Sequence, residues 1–62
     1  MKILRLKQVI EMTGLSRSTI YAYISKGLFP KQIALGERAV GWLLDDIEGW
    51  LQAKIKTYHN NQ

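Results

Sequence analysis

Apolar residues recur along this chain with two different periods. Leu6, Val9, Ile10 and Thr13 fall at i, i+3, i+4 and i+7, the spacing of one face of a helix over about Lys7–Thr13. Ahead of it, Ile3-Leu4-Arg5-Leu6 alternates as a short extended lead-in. Ile20 and Ile24, with Tyr23 beside them, form the apolar stripe of a second helix over about Arg17–Lys26. From Lys31 the period drops to two. Gln32-Ile33-Ala34-Leu35 alternates, Gly36-Glu37-Arg38 supplies a turn, and Ala39-Val40-Gly41-Trp42-Leu43 alternates again, which predicts a β-hairpin with Ile33, Leu35, Val40 and Trp42 on its buried face. A last helix is predicted from Asp45, as N-cap, with Glu48 completing a capping box. Its apolar face carries Ile47, Trp50, Leu51, Ile55 and Tyr58, while Gln52, Lys54 and Lys56 face water. The segment from Tyr58 to Gln62 reads as a polar tail that frays.

The punctuation between these elements is as informative as the elements. Gly14 suits the left-handed backbone that ends a helix and redirects the chain. Leu15 then points inward, and Ser16 is placed to cap the amides that open the next helix. Helix, glycine turn, inward apolar residue and capping serine are the local chemistry of a helix-turn-helix. Gly27 supplies a second helix stop, after which Leu28 is positioned to fold back onto the helix. Phe29-Pro30 then prevents the helix from continuing, because proline disfavours helical backbone in the residue before it.

The chain has 62 residues, nine Lys and Arg against five Asp and Glu, a formal charge of +4 and no cysteine. This length makes one domain over residues 1–62, near the lower limit for an unaided core. Without cysteine there is no disulfide staple or thiolate metal site, and a lone His59 does not make a structural zinc site, so neither metal nor cofactor is expected. Met1-Lys2 leads straight into patterned sequence with no long apolar run, so neither a signal peptide nor a membrane span is expected, and the cytoplasm is the expected location. The excess of cations favours a polyanionic partner.

Helix, turn, helix, hairpin and helix, in that order, describe a mainly α fold with a small β-hairpin, the winged helix-turn-helix. In that fold the second helix enters the major groove of double-stranded DNA and the hairpin touches the flanking backbone or minor groove. The candidate DNA-binding residues follow from this placement. Arg17 stands at a helix start, where the helix dipole favours an acid, so stability alone does not account for it; a guanidinium there suits guanine or phosphate. Ser18 and Thr19 are suited to phosphate hydrogen bonding. Tyr21 and Ala22 follow one turn on, Tyr21 suited to phosphate or a thymine methyl group. Arg38 sits at the hairpin tip, and Lys7, Lys26 and Lys31 are phosphate neighbours without base reading. Trp42 and Trp50 lie on apolar faces and read as core.

Three stretches, Thr13-Gly14-Leu15-Ser16-Arg17-Ser18-Thr19-Ile20-Tyr21, Lys26-Gly27-Leu28-Phe29-Pro30 and Gly36-Glu37-Arg38-Ala39-Val40-Gly41-Trp42, together closely resemble the AlpA-type prophage regulators, relatives of phage excisionases. The similarity runs from about Leu4 to Leu51. It implies a MerR-like or excisionase-like winged helix, sequence-specific DNA binding, and control of a prophage or integrative element through integrase transcription or the direction of excision. Ala22 stands where that family often carries a basic residue. Leu43-Leu44 stands where a polar or basic residue commonly follows the wing tryptophan, which reads either as deeper packing or as an apolar surface for self-association.

The sequence holds no convergent set of catalytic groups. Asp45, Asp46 and Glu48 are adjacent acids whose spacing fits a helix start, so an enzyme is not expected. From another class, a small protein-interaction adaptor would use the third helix and Leu43-Leu44 as an apolar surface. A basic wing tip favours DNA over that alternative. A single module covers about 600–1,000 Å² of protein surface, so self-association on repeated DNA sites, or cooperation with an integrase or RNA polymerase, is expected.

Overall fold

The computed structural model describes residues 2–60. Its elements are β1 (Ile3–Leu4), α1 (Leu6–Thr13), α2 (Arg17–Ser25), β2 (Ile33–Ala34), β3 (Val40–Leu43) and α3 (Leu44–Asn60). The predicted helix-turn-helix, hairpin and final helix are all present, in the form of a small winged helix. The lead-in has a larger role than its alternation indicates. It pairs antiparallel with β3, so the hairpin becomes a three-stranded sheet of order β1-β3-β2. A two-stranded hairpin is marginal in water, and the third strand ties the wing to the body of the domain.

One core joins all of this. Leu4, Val9, Ile20, Phe29, Trp42 and Ile47 are buried, one or more from nearly every element, and Leu6, Ile10, Leu15, Tyr23, Ile24, Val40, Leu44, Trp50 and Leu51 pack around them. The expected faces of α1 and α2 are therefore the faces that pack. α1 begins one residue earlier than expected, at Leu6. Its start is secured by Arg5, whose backbone N–H donates to Gln8 Oε1 at 2.9 Å, half of a capping box.

The sheet register corrects the expected buried face of the hairpin. Ile33 lies opposite Gly41 and Ala34 opposite Val40, so Ala34 shares a face with Val40 and Trp42. Ile33 and Leu35 point the other way and remain 36% and 45% exposed. Leu43 joins them through its pairing with Ile3. Gly41 explains the choice of face. A Cβ built on it would meet Ile3 Cγ2 at 2.5 Å, Leu35 Cδ1 at 3.0 Å and the Leu4 carbonyl at 3.0 Å. The absent side chain is the space that lets Ile3 and Leu35 close over the strand. The two residues after the wing tryptophan thus part company: Leu44 packs against the core, while Leu43 lies half-buried on the outer sheet face.

α3 departs from expectation at both ends. It starts at Leu44, directly after β3, with Asp45 and Asp46 already in the first turn, so Asp45 is not the N-cap. A helix that starts without a polar cap needs another acceptor for its first amide, and Leu44 N–H donates to the Lys2 carbonyl at 2.8 Å. The two aspartates still favour the positive end of the helix dipole. At the far end the helix runs through Asn60, so Tyr58, His59 and Asn60 are helical; Asn61 and Gln62, the rest of the expected tail, lie outside the described residues. Ile47 is buried, but Ile55 and Tyr58, on the same stripe, are 48% and 64% exposed. The stripe continues past the surface it packs against.

Candidate nucleic-acid interface

The turn before α2 takes the expected form. Gly14 has φ +72° and its N–H donates to the Ile10 carbonyl at 2.8 Å, closing α1. Thr13 Oγ1 donates to the Val9 carbonyl and accepts from Leu15 N–H at 3.2 Å, so the backbone is held on both sides of the glycine. Ser16 Oγ accepts from Thr19 N–H at 3.2 Å and donates to Thr19 Oγ1 at 2.9 Å. The orientation of α2 is therefore set by a two-sided cap at its start and by Ile20, fully buried, in its first turns. At the other end, Gly27 has φ +72°. Gly27 N–H donates to the Ile24 carbonyl at 3.0 Å and Leu28 N–H to the Tyr23 carbonyl at 2.8 Å, the paired bonds of a Schellman motif. The Leu28 side chain does not bury itself against the helix as expected; it is 56% exposed.

With Ile20, Tyr23 and Ile24 turned inward, helical geometry at 100° per residue turns Ser18, Ala22 and Ser25 most directly outward. All three are exposed. Arg17 and Tyr21 border this strip on one side, and the Arg17 guanidinium carbon lies 5.9 Å from the centroid of the Tyr21 ring. Stacking of this kind is worth about 0.5–1 kcal/mol at exposed sites. Its geometric effect is to lay the guanidinium along the helix beside the outward strip. Thr19 is half-buried on the other side, and its hydroxyl accepts from the cap.

The remaining candidates stand on separate elements. Lys7 is exposed on α1; Lys26 and Lys31 are exposed at either end of the link between α2 and β2; Arg38 is exposed at the hairpin tip. The tip is closed by Leu35 N–H and Gly36 N–H, which both donate to the Ala39 carbonyl, at 2.7 and 3.3 Å. Glu37 shares the tip with Arg38, so the wing adds no net charge, and any contribution of Arg38 rests on where its side chain reaches. Ser25 joins the outward strip although its residue type alone does not mark it. Its signal was present in the spacing, since Ser18, Ala22 and Ser25 fall at i, i+4 and i+7 opposite the apolar stripe.

Charge is segregated along the chain. Between Glu11 and Glu37 there is no acid, and Arg17, Lys26 and Lys31 lie within that stretch, which contains the whole of α2. Three of the five acids, Asp45, Asp46 and Glu48, gather at the start of α3. α2 and its link to the wing therefore carry cations and no acid. Among the described residues no group of three or more His, Cys, Asp or Glu is arranged to hold a metal ion, and no helix is long and apolar enough to cross a membrane.

Residues 2–55 match the profile of the family described as Prophage CP4-57 regulatory protein (AlpA). The chain is 44% identical to an uncharacterized protein, ORF88, of Enterobacteria phage P4, over 87% of this chain and 61% of that protein, so it spans well under the full length of that relative. It is 39% identical to the DNA-binding transcriptional activator AlpA of Escherichia coli strain K12, over 89% of this chain and 87% of that protein. A match over residues 2–55, covering the turn, α2, the sheet and most of α3, shows that the chain belongs to the AlpA family of prophage regulatory proteins.

Proposed function

We propose that this chain is a sequence-specific, double-stranded-DNA-binding transcription regulator of a prophage or integrative element, working in the cytoplasm by binding and not by catalysis. The observation that carries the reading is the outward strip of α2. It is free of large side chains at Ser18, Ala22 and Ser25, bordered by Arg17 and Tyr21, and set in a stretch without acids. Small residues let a helix backbone approach base edges closely, and the bordering arginine supplies the donor fork that suits guanine or phosphate. The E. coli relative, by its name a DNA-binding transcriptional activator, supports the same output.

In this reading α2 lies in the major groove, with Arg17, Ser18, Tyr21, Ala22 and Ser25 toward the bases and Thr19 toward the backbone. Arg38 reaches the flanking minor groove or phosphates, and Lys7, Lys26 and Lys31 add salt-sensitive attraction. The regulated output is integrase transcription, the direction of excision, or both. The small footprint of one copy calls for repeated sites filled cooperatively, or for contact with integrase or RNA polymerase. Between neighbouring copies, the outer sheet face of Ile3, Ile33, Leu35 and Leu43 is the apolar surface for contact. An adaptor without DNA binding would draw on that face and on Ile55 and Tyr58, but would have no use for acid-free cations along α2.

Gel shifts against a duplex carrying the element's own control region and against a scrambled duplex test the proposal. Arg17→Ala is expected to weaken specific binding by about 1–3 kcal/mol while leaving the fold intact. Tyr21→Phe is expected to keep the ring that the guanidinium stacks on and lose only what the hydroxyl contributes. Specific binding unchanged by Arg17→Ala in a folded protein would place the DNA-reading surface elsewhere.

A further inference from the structure

Residues 26–32 carry the chain from α2 to the wing without forming a helix or strand. Two indoles hold this link by alternate carbonyls. Trp50 Nε1, from α3, donates to the Leu28 carbonyl at 2.8 Å, and Trp42 Nε1, from β3, donates to the Pro30 carbonyl at 3.1 Å. Between those two points Phe29 is buried, with its ring edge-on to Trp50 at a centroid distance of 4.9 Å. Leu28 is the junction. Its N–H is bonded to Tyr23 in α2 and its carbonyl to Trp50 in α3, so one residue transmits the orientation of one helix to the other.

The two tryptophans are not equivalent. Trp42 is fully buried, and its volume in the core accounts for its presence. Trp50 is half-buried, and its hydrogen bond lies at the exposed surface, with Lys54 Nζ 5.3 Å from the ring centroid. An indole N–H that close to water would bond to solvent if the link let go, so little stability depends on it. What the bond does supply is position. The backbone of α2 stands further from its neighbours than those of α1 and α3, which both lie close to β3. Its placement depends on Ile20, Tyr23 and Ile24 against the core, on the Ser16 cap and on this strap.

We propose that Trp50 is a positioning residue for DNA recognition: its indole N–H, through Leu28, fixes the end of α2 relative to the wing, so that the helix and Arg38 engage DNA as one rigid body. This rests on α2 and the wing both contacting DNA. If the two are one body, docking the helix brings Arg38 to its contact without further ordering cost. If the strap is loosened, the wing must be ordered during binding, and Arg38 contributes less.

The full chain, made with 3-benzothienylalanine in place of Trp50, replaces the N–H by sulfur and keeps the ring shape; Trp50→Phe is the genetic counterpart. Each is measured with and without Arg38→Ala on a duplex carrying the element's own control region and on a scrambled duplex. Removing the N–H is expected to weaken specific binding about fivefold, the equivalent of one hydrogen bond of typical net strength. Scrambled-duplex binding is expected to stay the same, and the cost of Arg38→Ala to fall to less than half its wild-type value. In the free wild-type protein the Trp50 indole proton is expected to exchange more slowly than an exposed indole. Unchanged specific affinity, a full Arg38 cost in the altered protein, or exposed-type exchange would overturn the role. Failure of the benzothienyl protein to fold would make the bond structural and overturn it as well. A wild-type protein that binds both duplexes alike, with no effect of Arg38→Ala, would instead overturn the DNA reading on which the role depends.

Discussion

Gly41→Ala tests the pairing of β1 with β3 directly, because its sign depends on whether Ile3 and the Leu4 carbonyl lie where the new methyl group enters. In the observed register the Cβ would come within 2.5 Å of Ile3 Cγ2 and 3.0 Å of both Leu35 Cδ1 and the Leu4 carbonyl oxygen. The two side-chain tips are able to move, but the carbonyl belongs to the β1–β3 ladder and gives way only if the pairing opens. Overpacking of this kind costs about 1–3 kcal/mol. Against it, alanine restricts the unfolded chain more than glycine and returns about 0.4–1 kcal/mol. The net expectation is a loss of about 1–2 kcal/mol, and at about 4–8 °C per kcal/mol for a domain of this size the thermal midpoint should fall by about 5–15 °C. Thermal unfolding followed by circular dichroism measures this. Ile3→Ala in the same chain removes the nearest atom, so the double variant should lose less than the two single losses added together. Had Ile33 and Leu35 shared the face of Trp42, position 41 would keep its β1 contacts to Ile3 and the Leu4 carbonyl but lose the one to Leu35, and Leu35→Ala would no longer relieve the loss caused by Gly41→Ala. A midpoint at or above wild type for Gly41→Ala would refute the pairing of β1 with β3 and the packing of Ile3 over the strand.

Two further outcomes are expected. Ser16→Ala removes the acceptor for Thr19 N–H and the donor to Thr19 Oγ1, and should cost about 1 kcal/mol in denaturant unfolding; no loss would mean that the cap does not set the start of α2. Arg38→Ala should lower affinity for related sites together and flatten the log-log salt dependence of binding by about 0.9, one phosphate contact, with no loss of stability because the residue is exposed; lost discrimination at a single base pair with an unaltered slope would instead make Arg38 a base reader.

Local chemistry was legible in the sequence, and non-local chemistry was not. Gly14, Ser16 and Gly27 act within one turn of their own position, and each has the backbone conformation or cap that its residue type calls for. The alternation does not fix which face of β2 is buried, because Gly41 leaves a gap in it. Two faces were then compatible with the pattern, and the choice was made by Ile3, far away in sequence. The start of α3 is set by the same kind of non-local contact: Leu44 N–H finds its acceptor on Lys2 across the sheet, so no capping residue is required at Asp45. Helical period identified the face of Ile47, Ile55 and Tyr58 but carries no information on how far the surface beneath it extends. For the interface, residue chemistry pointed to Arg17 and Tyr21, which the structure brings into contact. Ser25 carries little chemical signal of its own and stands out only by its position opposite Ile20 and Ile24. The strap was invisible, since nothing in the spacing of Trp42 and Trp50 indicates that their N–H groups converge on Leu28 and Pro30.

In the proposed function α2 meets DNA through the side that carries Arg17. Footprinting of the wild-type protein and of Arg17→Glu on the control region of the parent element, at a series of salt concentrations, tests it most directly. Arg17 is exposed, so the charge reversal leaves the core untouched while placing an anion against phosphate. Discrete protected sites that fade as salt rises are expected for the wild type, and none for a folded Arg17→Glu protein. Equal protection by both proteins would contradict that contact.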